Sequence, residues 1–483
     1  MKQTGILMSV SSLPAPYGVG ELGNEAFEWI DILHKNNIDI WQILPLNPTG
    51  YGNSPYQPYS SFAGDEIYIS LKTLADEGLI DNLPKPFENQ KTRIDYDKIR
   101  AWKAPFLRKA FEKFTKTDDY NKFAQNEWVI KYAVFRAMKK ANNNRCWTEW
   151  EINQRDWNAN TIPEEFKKEA EYHIFLQYKF LQQWQNVKNY ANKKNIRIMG
   201  DVPFYVGLDS VDVWANRSNF LLDKDGNPRF IAGVPPDYFS ETGQRWGNPI
   251  YDWDELEKTG FKFWIERIGY SQKLFDIIRI DHFRAFDTFW KIPVSCPTAV
   301  EGEWIEAPGY KVIDTLYKEI PNLCLVAEDL GDLRPEVLTL RDHYNLKGMK
   351  ILEFDIDTNG KYAKIIGESK ENQILYTGTH DNATLLEWYK SLKVPERRKV
   401  RKMLKKYGFK DKNITSRLNA LALSAVSDWV ILPMQDVIGL GAEARMNLPG
   451  TVGSPNWEWY LPDMKLAKKS LNSLKSDILK WRN

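Results

Sequence analysis

Three acidic residues occupy positions from which they could act together on one substrate. Asp281, Glu328 and Asp381 each follow a short apolar segment that is typical of a buried strand. Cleavage of a glycosidic bond with retention of configuration needs one carboxylate to attack the anomeric carbon and one carboxylic acid to protonate the leaving oxygen. A third carboxylate can stabilise positive charge in the transition state. The sequence therefore predicts glycosidic chemistry with these three acids as the catalytic residues.

Basic residues and a fourth acid accompany this set. In the segment IIRIDH, the two-residue period of a strand puts Arg279 and Asp281 on one face, where the guanidinium can keep the carboxylate ionised. His282 and His380 adjoin two of the acids and can donate hydrogen bonds to sugar hydroxyls, and Asp201 ends another apolar segment. A lone aspartate is more often a surface ion pair or a helix cap, and a lone histidine a buried, hydrogen-bonded ring. Their combination at successive strand ends favours a functional site.

Strands must place these residues at one edge of a sheet. Eight near-continuous apolar segments alternate with helix-like stretches, at 5–10, 38–44, 196–202, 275–281, 323–328, 349–354, 373–377 and 429–433. Such segments are typical of parallel strands buried on both faces. Eight strand–helix units predict an α/β protein of the (β/α)8 TIM barrel class, whose catalytic groups lie at the carboxyl ends of the strands.

The chain is longer than a barrel requires. A (β/α)8 barrel needs ~250 residues, and this chain has 483, so we expect a single catalytic barrel over 1–483 with large insertions. The segment 45–195, between strands two and three, is predicted to be mainly an inserted subdomain, helical around 95–170. The segment 203–262, after strand three, is rich in proline, glycine and aromatic residues and is predicted to be a loop-rich inserted subdomain.

A loop in the second insertion carries aromatic residues. The sequence GVPPDYFSETGQRWG at 233–247 presents Tyr238, Phe239 and Trp246 between glycines that could serve as hinges. Aromatic rings offer flat apolar faces that suit the C–H faces of sugars. The alternative is a surface loop packed by its own aromatic side chains. We expect a lid that excludes water and orients an acceptor sugar.

Composition excludes several other classes. The 66 basic and 64 acidic residues nearly balance, which argues against nucleic acid or an anionic membrane as partner. Three widely spaced cysteines do not suit a disulfide framework or a zinc site. No apolar run reaches the length of a signal or membrane segment, so a cytoplasmic protein is expected. A glycine pattern at 18–23 resembles a dinucleotide fingerprint, but Pro14 and Pro16 break the tight turn that this fingerprint requires.

Several motifs resemble those of the 4-α-glucanotransferases, the amylomaltases or disproportionating enzymes, which are glycoside hydrolases related to the α-amylases. The resemblance covers nearly the whole chain. Its motifs are SSLPAPYGVGELG at 11–23, WQILPLNPTGYGNSPYQPYSSFAG at 41–64, GDVPFYV at 200–206, GVPPDYFSETGQRWGNPIYDW at 233–253, RIDHFR at 279–284, AEDLG at 327–331, GTHDN at 378–382 and GLGAEARMNLPGT at 439–451.

The resemblance implies roles for individual residues. Asp281 corresponds to the nucleophile, Glu328 to the general acid/base and Asp381 to the transition-state stabiliser. The family's donor-sugar contacts fall on Tyr56, Asp201, Arg279, His282 and His380. Tyr51 lies in a segment that some members use for a secondary glucan site. The chain departs from the family at Tyr460, where arginine was expected after Asn456-Trp-Glu-Trp459.

The implied reaction is retaining transfer of an α-1,4-glucan segment to the 4-hydroxyl of another glucan or of glucose. The implied substrates are maltooligosaccharides and starch- or glycogen-type glucans, with no cofactor and no metal ion. One alternative is an α-1,4-glucan hydrolase on the same barrel, which would use the same carboxylates. Another is a non-catalytic glucan-binding subunit, from which at least one of the acids would be expected to be missing.

Overall fold

The structure is a computed structural model, and it describes residues 2–87, 93–157, 161–236, 240–356, 371–411 and 413–482. These ranges contain strands β1 (Gln3–Leu7), β2 (Ile40–Gln42), β3 (Arg197–Val202), β4 (Phe230–Val234), β5 (Gln244–Pro249), β6 (Ile277–Ile280), β7 (Thr288–Pro293), β8 (Glu303–Glu306), β9 (Leu325–Ala327), β10 (Gly348–Ile351), β11 (Gln373–Tyr376) and β12 (Trp429–Pro433). Eight of the strands pair in parallel in the order β10-β11-β12-β1-β2-β3-β6-β9.

The parallel sheet closes on itself. Val326 of β9 forms a parallel bridge with Lys347, just before β10, and the Ala327 N–H donates to the Lys347 carbonyl at 3.0 Å. With helices between successive strands, this confirms the predicted (β/α)8 barrel with insertions. β12, with the sequence WVILP, is buried at every position, as expected for a strand covered on both faces.

Each predicted apolar segment overlaps one barrel strand, although the ends differ. β1 begins two residues before the predicted segment because the Gln3 N–H donates to the Asp428 carbonyl at 2.7 Å, which joins β1 to β12. It ends at Leu7, and a 3-10 turn at Val10–Ser12 follows. Apolar composition therefore locates the strands, whereas hydrogen bonds to neighbouring strands determine their ends.

Helices form the outer layer of the barrel. The helices that follow or connect the barrel strands are Asn24–Lys35, Lys167–Lys193, Lys262–Leu274, Gly309–Glu319, Pro335–His343, Leu352–Asp355, Leu385–Ser391, Val394–Lys406, Ile414–Leu423, Met434–Ile438 and Met464–Trp481. Helix Lys167–Lys193 packs against both Asn24–Lys35 and β3.

Further helices lie between β2 and Lys167–Lys193. They are Leu71–Asp76, Tyr96–Lys113, Asp118–Ala124, Glu127–Ala141 and Ile152–Arg155. A buried ion pair joins this insertion to the segment after β1, with Lys103 Nζ 2.5 Å from Glu21 Oε1. We retain as a proposal the division of the chain into one barrel with inserted subdomains at 45–195 and 203–262.

A second sheet was not anticipated from the sequence. β4 and β5 come from the segment 203–262, which also contains helices Val211–Trp214 and Trp253–Lys258. They pair antiparallel with β7 and β8, which follow barrel strand β6, in the order β5-β4-β7-β8. Local patterns gave little indication of this sheet because the central partners, β4 and β7, are separated in the chain by a barrel helix and a barrel strand.

The described residues have two further properties. None of their helices combines the length and the apolar character needed to cross a membrane. Cys146, Cys296 and Cys324 are free thiols.

Candidate active site

Asp201, Arg279 and Asp281 lie at the carboxyl ends of neighbouring strands. Asp201 of β3 is the register partner of Arg279 of β6, and the Asp281 N–H donates to the Val202 carbonyl at 3.0 Å. Arg279 Nη1 donates to Asp201 Oδ1 and Oδ2 at 2.6 and 2.7 Å and to Asp281 Oδ1 at 3.0 Å. Arg279 and Asp201 are buried, whereas the Asp281 side chain is 28% exposed. The buried Asp201 carboxylate thus fixes the Arg279 guanidinium, which in turn holds the accessible Asp281 carboxylate.

Glu328 follows β9 and is held by the main chain. Its N–H donates to the Ile280 carbonyl at 3.0 Å, which ties it to the strand that carries Asp281. Its carboxyl oxygens accept the N–H of His282 at 2.7 Å and that of Leu330 at 3.1 Å. His282 has a left-handed backbone, with φ 51°, a conformation that non-glycine residues seldom adopt. Its backbone N–H contacts the Glu328 carboxyl group.

Asp381 follows β11 and is held from the C-terminal part of the chain. Asn447 Nδ2 donates to Asp381 Oδ1 at 2.6 Å, and Arg445 Nη2 donates to the Asp381 carbonyl at 2.9 Å. The Asn447 N–H donates to the neighbouring His380 carbonyl at 3.1 Å. The Asp381 side chain is 46% exposed, so a firmly held carboxylate faces the barrel opening.

Tyr56 links the two sides of the opening. Its hydroxyl donates to Asp201 Oδ2 at 2.7 Å. Its ring stacks on His380, with centroids 5.1 Å apart and planes 17° apart, and Trp457 lies 5.6 Å from it. Arg100 supports the loop that carries Tyr56, because it donates to Thr49 Oγ1 at 2.9 Å. These contacts join the Asp201 side of the site to the His380 side.

Trp246 of β5 brings the second sheet to the site. Its ring meets the His282 ring edge to face, with centroids 4.9 Å apart and planes at 88°. Gln57 Nε2 donates to the Trp246 carbonyl at 3.3 Å and to Asn248 Oδ1 at 2.8 Å. The loop of Tyr56 therefore also anchors the strand that carries Trp246.

Burial raises the pKa of two acids of the site, Asp281 and Glu328. Burial raises the pKa of Asp281 well above its ordinary value; Arg279 opposes the increase, and the nearby carboxylates add to it. Burial also raises the pKa of Glu328, against the opposing effects of Arg279 and the N–H groups of His282 and Leu330. In this desolvated site the nearby carboxylates therefore disfavour ionisation of Asp281, and Arg279 favours it.

Both histidines of the site are neutral near pH 7. Burial lowers the pKa of His282 to about 3, with a smaller contribution from Arg284. Burial also lowers the pKa of His380, although Asp381 acts in the opposite direction. A neutral imidazole has one N–H donor and one acceptor nitrogen, so both rings suit hydrogen bonding to sugar hydroxyls rather than charge pairing.

The structure brings together most of the residues singled out from the sequence: Tyr56, Asp201, Trp246, Arg279, Asp281, His282, Glu328, His380 and Asp381. Tyr238 and Phe239 lie outside the described residues, and so does the side chain of Tyr51.

Sequence reasoning missed Asn447, Arg445 and Trp457. The first two lie within GLGAEARMNLPGT, a segment noted only for its family likeness, and no spacing linked them to Asp381. Tyr460, where arginine was expected, is buried and both donates to and accepts from the Ala15 main chain, at 2.6 Å in each case. Tyr460 therefore anchors the segment after β1.

A closed barrel with three acids at the ends of its strands is an arrangement typical of enzymes that act on glycosidic bonds. The family described as 4-alpha-glucanotransferase, glycoside hydrolase family 77, matches residues 8–466. The chain belongs to this family.

Similar proteins align with this chain over nearly its whole length. A 4-alpha-glucanotransferase of Synechocystis is 45% identical, with 95% of this chain and 94% of that protein covered. One from Thermus thermophilus is 42% identical, over the same shares of the two chains. The solved amylomaltase of Streptococcus agalactiae in complex with acarbose has a TM-score of 0.94 and 35% identity, covering 100% of this chain and 99% of that one.

The comparisons confirm the family resemblance and the expectation of a 4-α-glucanotransferase. They do not favour the alternative of an α-1,4-glucan hydrolase.

Proposed function

We propose that the enzyme moves a segment of an α-1,4-glucan from a donor maltooligosaccharide to the 4-hydroxyl of an acceptor glucan or glucose, with retention of configuration. The observation that carries the proposal is that the carboxyl groups of Asp281 and Glu328 accept hydrogen bonds from different kinds of donor. Asp281 accepts from the Arg279 guanidinium, whereas Glu328 accepts only main-chain N–H groups among the described residues. The direct hydrogen bond from a charged donor favours the ionised form of Asp281 as the nucleophile, and Glu328, which has no such donor in the described part of the chain, is assigned as the acid.

In the first step, Asp281 attacks the anomeric carbon of the donor and forms a covalent glycosyl ester. The bond between that carbon and the bridging oxygen breaks, and Glu328 gives its proton to this oxygen as the shortened glucan leaves. In the second step, Glu328 takes the proton of the acceptor 4-hydroxyl. That oxygen attacks the same carbon, and Asp281 is released as a carboxylate.

Asp381 and the groups around it hold the reacting sugar. The exposed Asp381 carboxylate accepts hydrogen bonds from sugar hydroxyls and stabilises the oxocarbenium-like transition state. Tyr56, Arg279 and Asp201 form one wall of this subsite, and the neutral His380 and His282 rings supply further hydrogen bonds. Because these groups are held by one another, little reorganisation accompanies the reaction.

Transfer requires that a sugar, rather than water, attacks the glycosyl ester. Trp246 packs beside His282, immediately after the nucleophile in the chain, and covers this side of the site. The loop that leads to Trp246 contains Tyr238 and Phe239, which we propose to bind the acceptor. Tyr51 is proposed, on the family likeness alone, to belong to a secondary glucan site.

The proposed partners are maltooligosaccharides and starch- or glycogen-type α-1,4-glucans, with glucose as the smallest acceptor. Neither nucleic acid nor a membrane is proposed as a partner, and the proposed location is the cytoplasm. The support comes from relatives named 4-alpha-glucanotransferase and from the neighbour solved in complex with acarbose.

The proposal is tested with maltotriose as the only substrate. Transfer yields glucose together with longer oligosaccharides and leaves the total number of reducing ends constant, which chromatography and a reducing-end assay both measure. A steady rise in reducing ends without longer products would indicate hydrolysis and overturn the proposal. The Asp281→Asn variant is the control for contaminating activity.

A further inference from the structure

We propose that Trp304 and Arg284 form a remote binding platform for the acceptor arm of an α-1,4-glucan. The inference rests on the proposed function, in which Glu328 exchanges a proton with the leaving and acceptor oxygens. The leaving and acceptor chains therefore extend from the Glu328 side of the site.

Trp304 is a partly open indole on a rigid support. It is the register partner of Trp290 across β7 and β8, and the two rings meet edge to face with centroids 5.1 Å apart. Trp290 is itself anchored, because its Nε1 donates to the Ala299 carbonyl at 2.9 Å. Trp304 nevertheless remains 38% exposed. A ring held by Trp290 and Arg284, in a residue that is still more than one third exposed, can contact a sugar at little cost in side-chain entropy.

Arg284 connects this ring with the loop of the proposed acid/base. Its guanidinium carbon lies 3.7 Å from the Trp304 ring centroid, and its Nη1 donates to the Asp332 carbonyl. Asp332 belongs to the loop that begins at Glu328, whose Oε1 accepts the Leu330 N–H. A continuous set of contacts thus runs from Glu328 to Trp304.

The loop that begins at Glu328 has free space beside Gly331. Gly331 has a left-handed backbone, with φ 92°, and a Cβ built there would meet no heavy atom within 4 Å. Glu306, also on β8, has a side chain that is 81% exposed and can accept hydrogen bonds from hydroxyl groups. A neutral chain of sugar rings needs both features, an apolar ring face and hydroxyl partners beside it.

The kinetic test compares acceptors of different length with one activated donor, α-maltosyl fluoride. The expected result is that Trp304→Ala raises the KM for maltopentaose as acceptor about three- to tenfold relative to the KM for glucose, the range of one lost stacking contact. Trp304→Phe, which keeps a ring, should lie between the wild type and the alanine variant. The matched control is Tyr310→Ala, which removes another exposed ring, on helix Gly309–Glu319, and should change neither KM.

A binding measurement tests the Trp304 platform independently of the proposed reaction. In an Asp281→Asn background, calorimetric titration with maltoheptaose should show about the same loss of affinity when Trp304→Ala is added, whatever the outcome of the maltotriose assay. Equal affinities with and without Trp304→Ala, or equal increases in the KM for glucose and maltopentaose, would overturn the platform.

Discussion

Asn447 donates a hydrogen bond of 2.6 Å from its side-chain amide to Oδ1 of Asp381, across 66 residues of sequence. Its main-chain N–H also donates to the carbonyl of His380, at 3.1 Å. One residue thus fixes both the carboxylate that we propose to stabilise the transition state and the backbone turn that presents it.

Asn447→Ala should lower kcat about tenfold to a hundredfold, because a hydrogen bond to a charged group contributes about 1.5–3 kcal/mol. The KM for the donor should change less, since Asp381 acts mainly in the transition state. Steady-state kinetics on maltotriose measure both constants. Asn447→Asp, which replaces a donor by an acceptor beside Asp381, should be more damaging than alanine. If the aspartate variant equals the wild type, Asn447 does not position Asp381.

Asp281→Asn and Asp381→Asn should each lower turnover by orders of magnitude without unfolding the barrel. Each change removes a negative charge that faces the developing oxocarbenium ion and leaves the side-chain volume almost unaltered. Turnover of maltotriose and the thermal midpoint of each variant are the two measurements. Near-normal turnover in either variant would refute the role assigned to that residue.

Glu328→Gln should affect two donors differently, according to how much protonation the leaving group of each requires. Loading from a glycosyl fluoride should persist, because fluoride leaves with little protonation, whereas cleavage of maltotriose should be almost abolished. Burst kinetics with the fluoride measure the loading step directly. Equal loss on both substrates would argue against Glu328 as the acid.

Variants of the loop 233–247 should change the partition between transfer and hydrolysis. Trp246→Ala uncovers the ring of His282, and the double variant Tyr238→Ala/Phe239→Ala removes the proposed acceptor contacts. Both should raise the ratio of hydrolysis to transfer on maltotriose, because water gains access while the three carboxyl groups remain in place. A fixed ratio with a general loss of activity would show that the loop is structural.

Glu353 should make stability depend on pH. Burial raises its pKa to about 7, against the opposing hydrogen bond that Asn382 Nδ2 donates to Oε1 at 2.9 Å. Since the folded state holds the proton more tightly than the unfolded chain, this contribution is complete below the ordinary carboxyl pKa and is lost as the pH rises through about 7.

Glu353→Gln keeps the acceptor for Asn382 but cannot ionise. The thermal midpoint of the wild type should therefore fall relative to that of the variant between pH 5 and pH 8, as differential scanning measures. Parallel pH profiles for the two proteins would contradict the assignment to Glu353.

The sequence identified those parts of the fold and site that depend on local patterns. Apolar segments located all eight barrel strands, and the two-residue strand period placed Arg279 and Asp281 on one face, where their side chains do meet. Asn447 could not be found in this way, because its contact with Asp381 depends on how the chain folds after β12. The pairing of Trp290 with Trp304 follows from strand register in a sheet that local patterns did not reveal.

The turn at His282 separates two functions within one residue. The left-handed backbone directs the N–H to Glu328, and this contact requires no particular side chain, whereas the ring lies against Trp246. Glycine adopts a left-handed backbone without strain, so His282→Gly retains the N–H contact while removing the ring. The main-chain contact that holds Glu328 and the side-chain contact proposed for the donor sugar can therefore vary independently at a single position, so a substitution there changes sugar binding while the acid/base keeps its place.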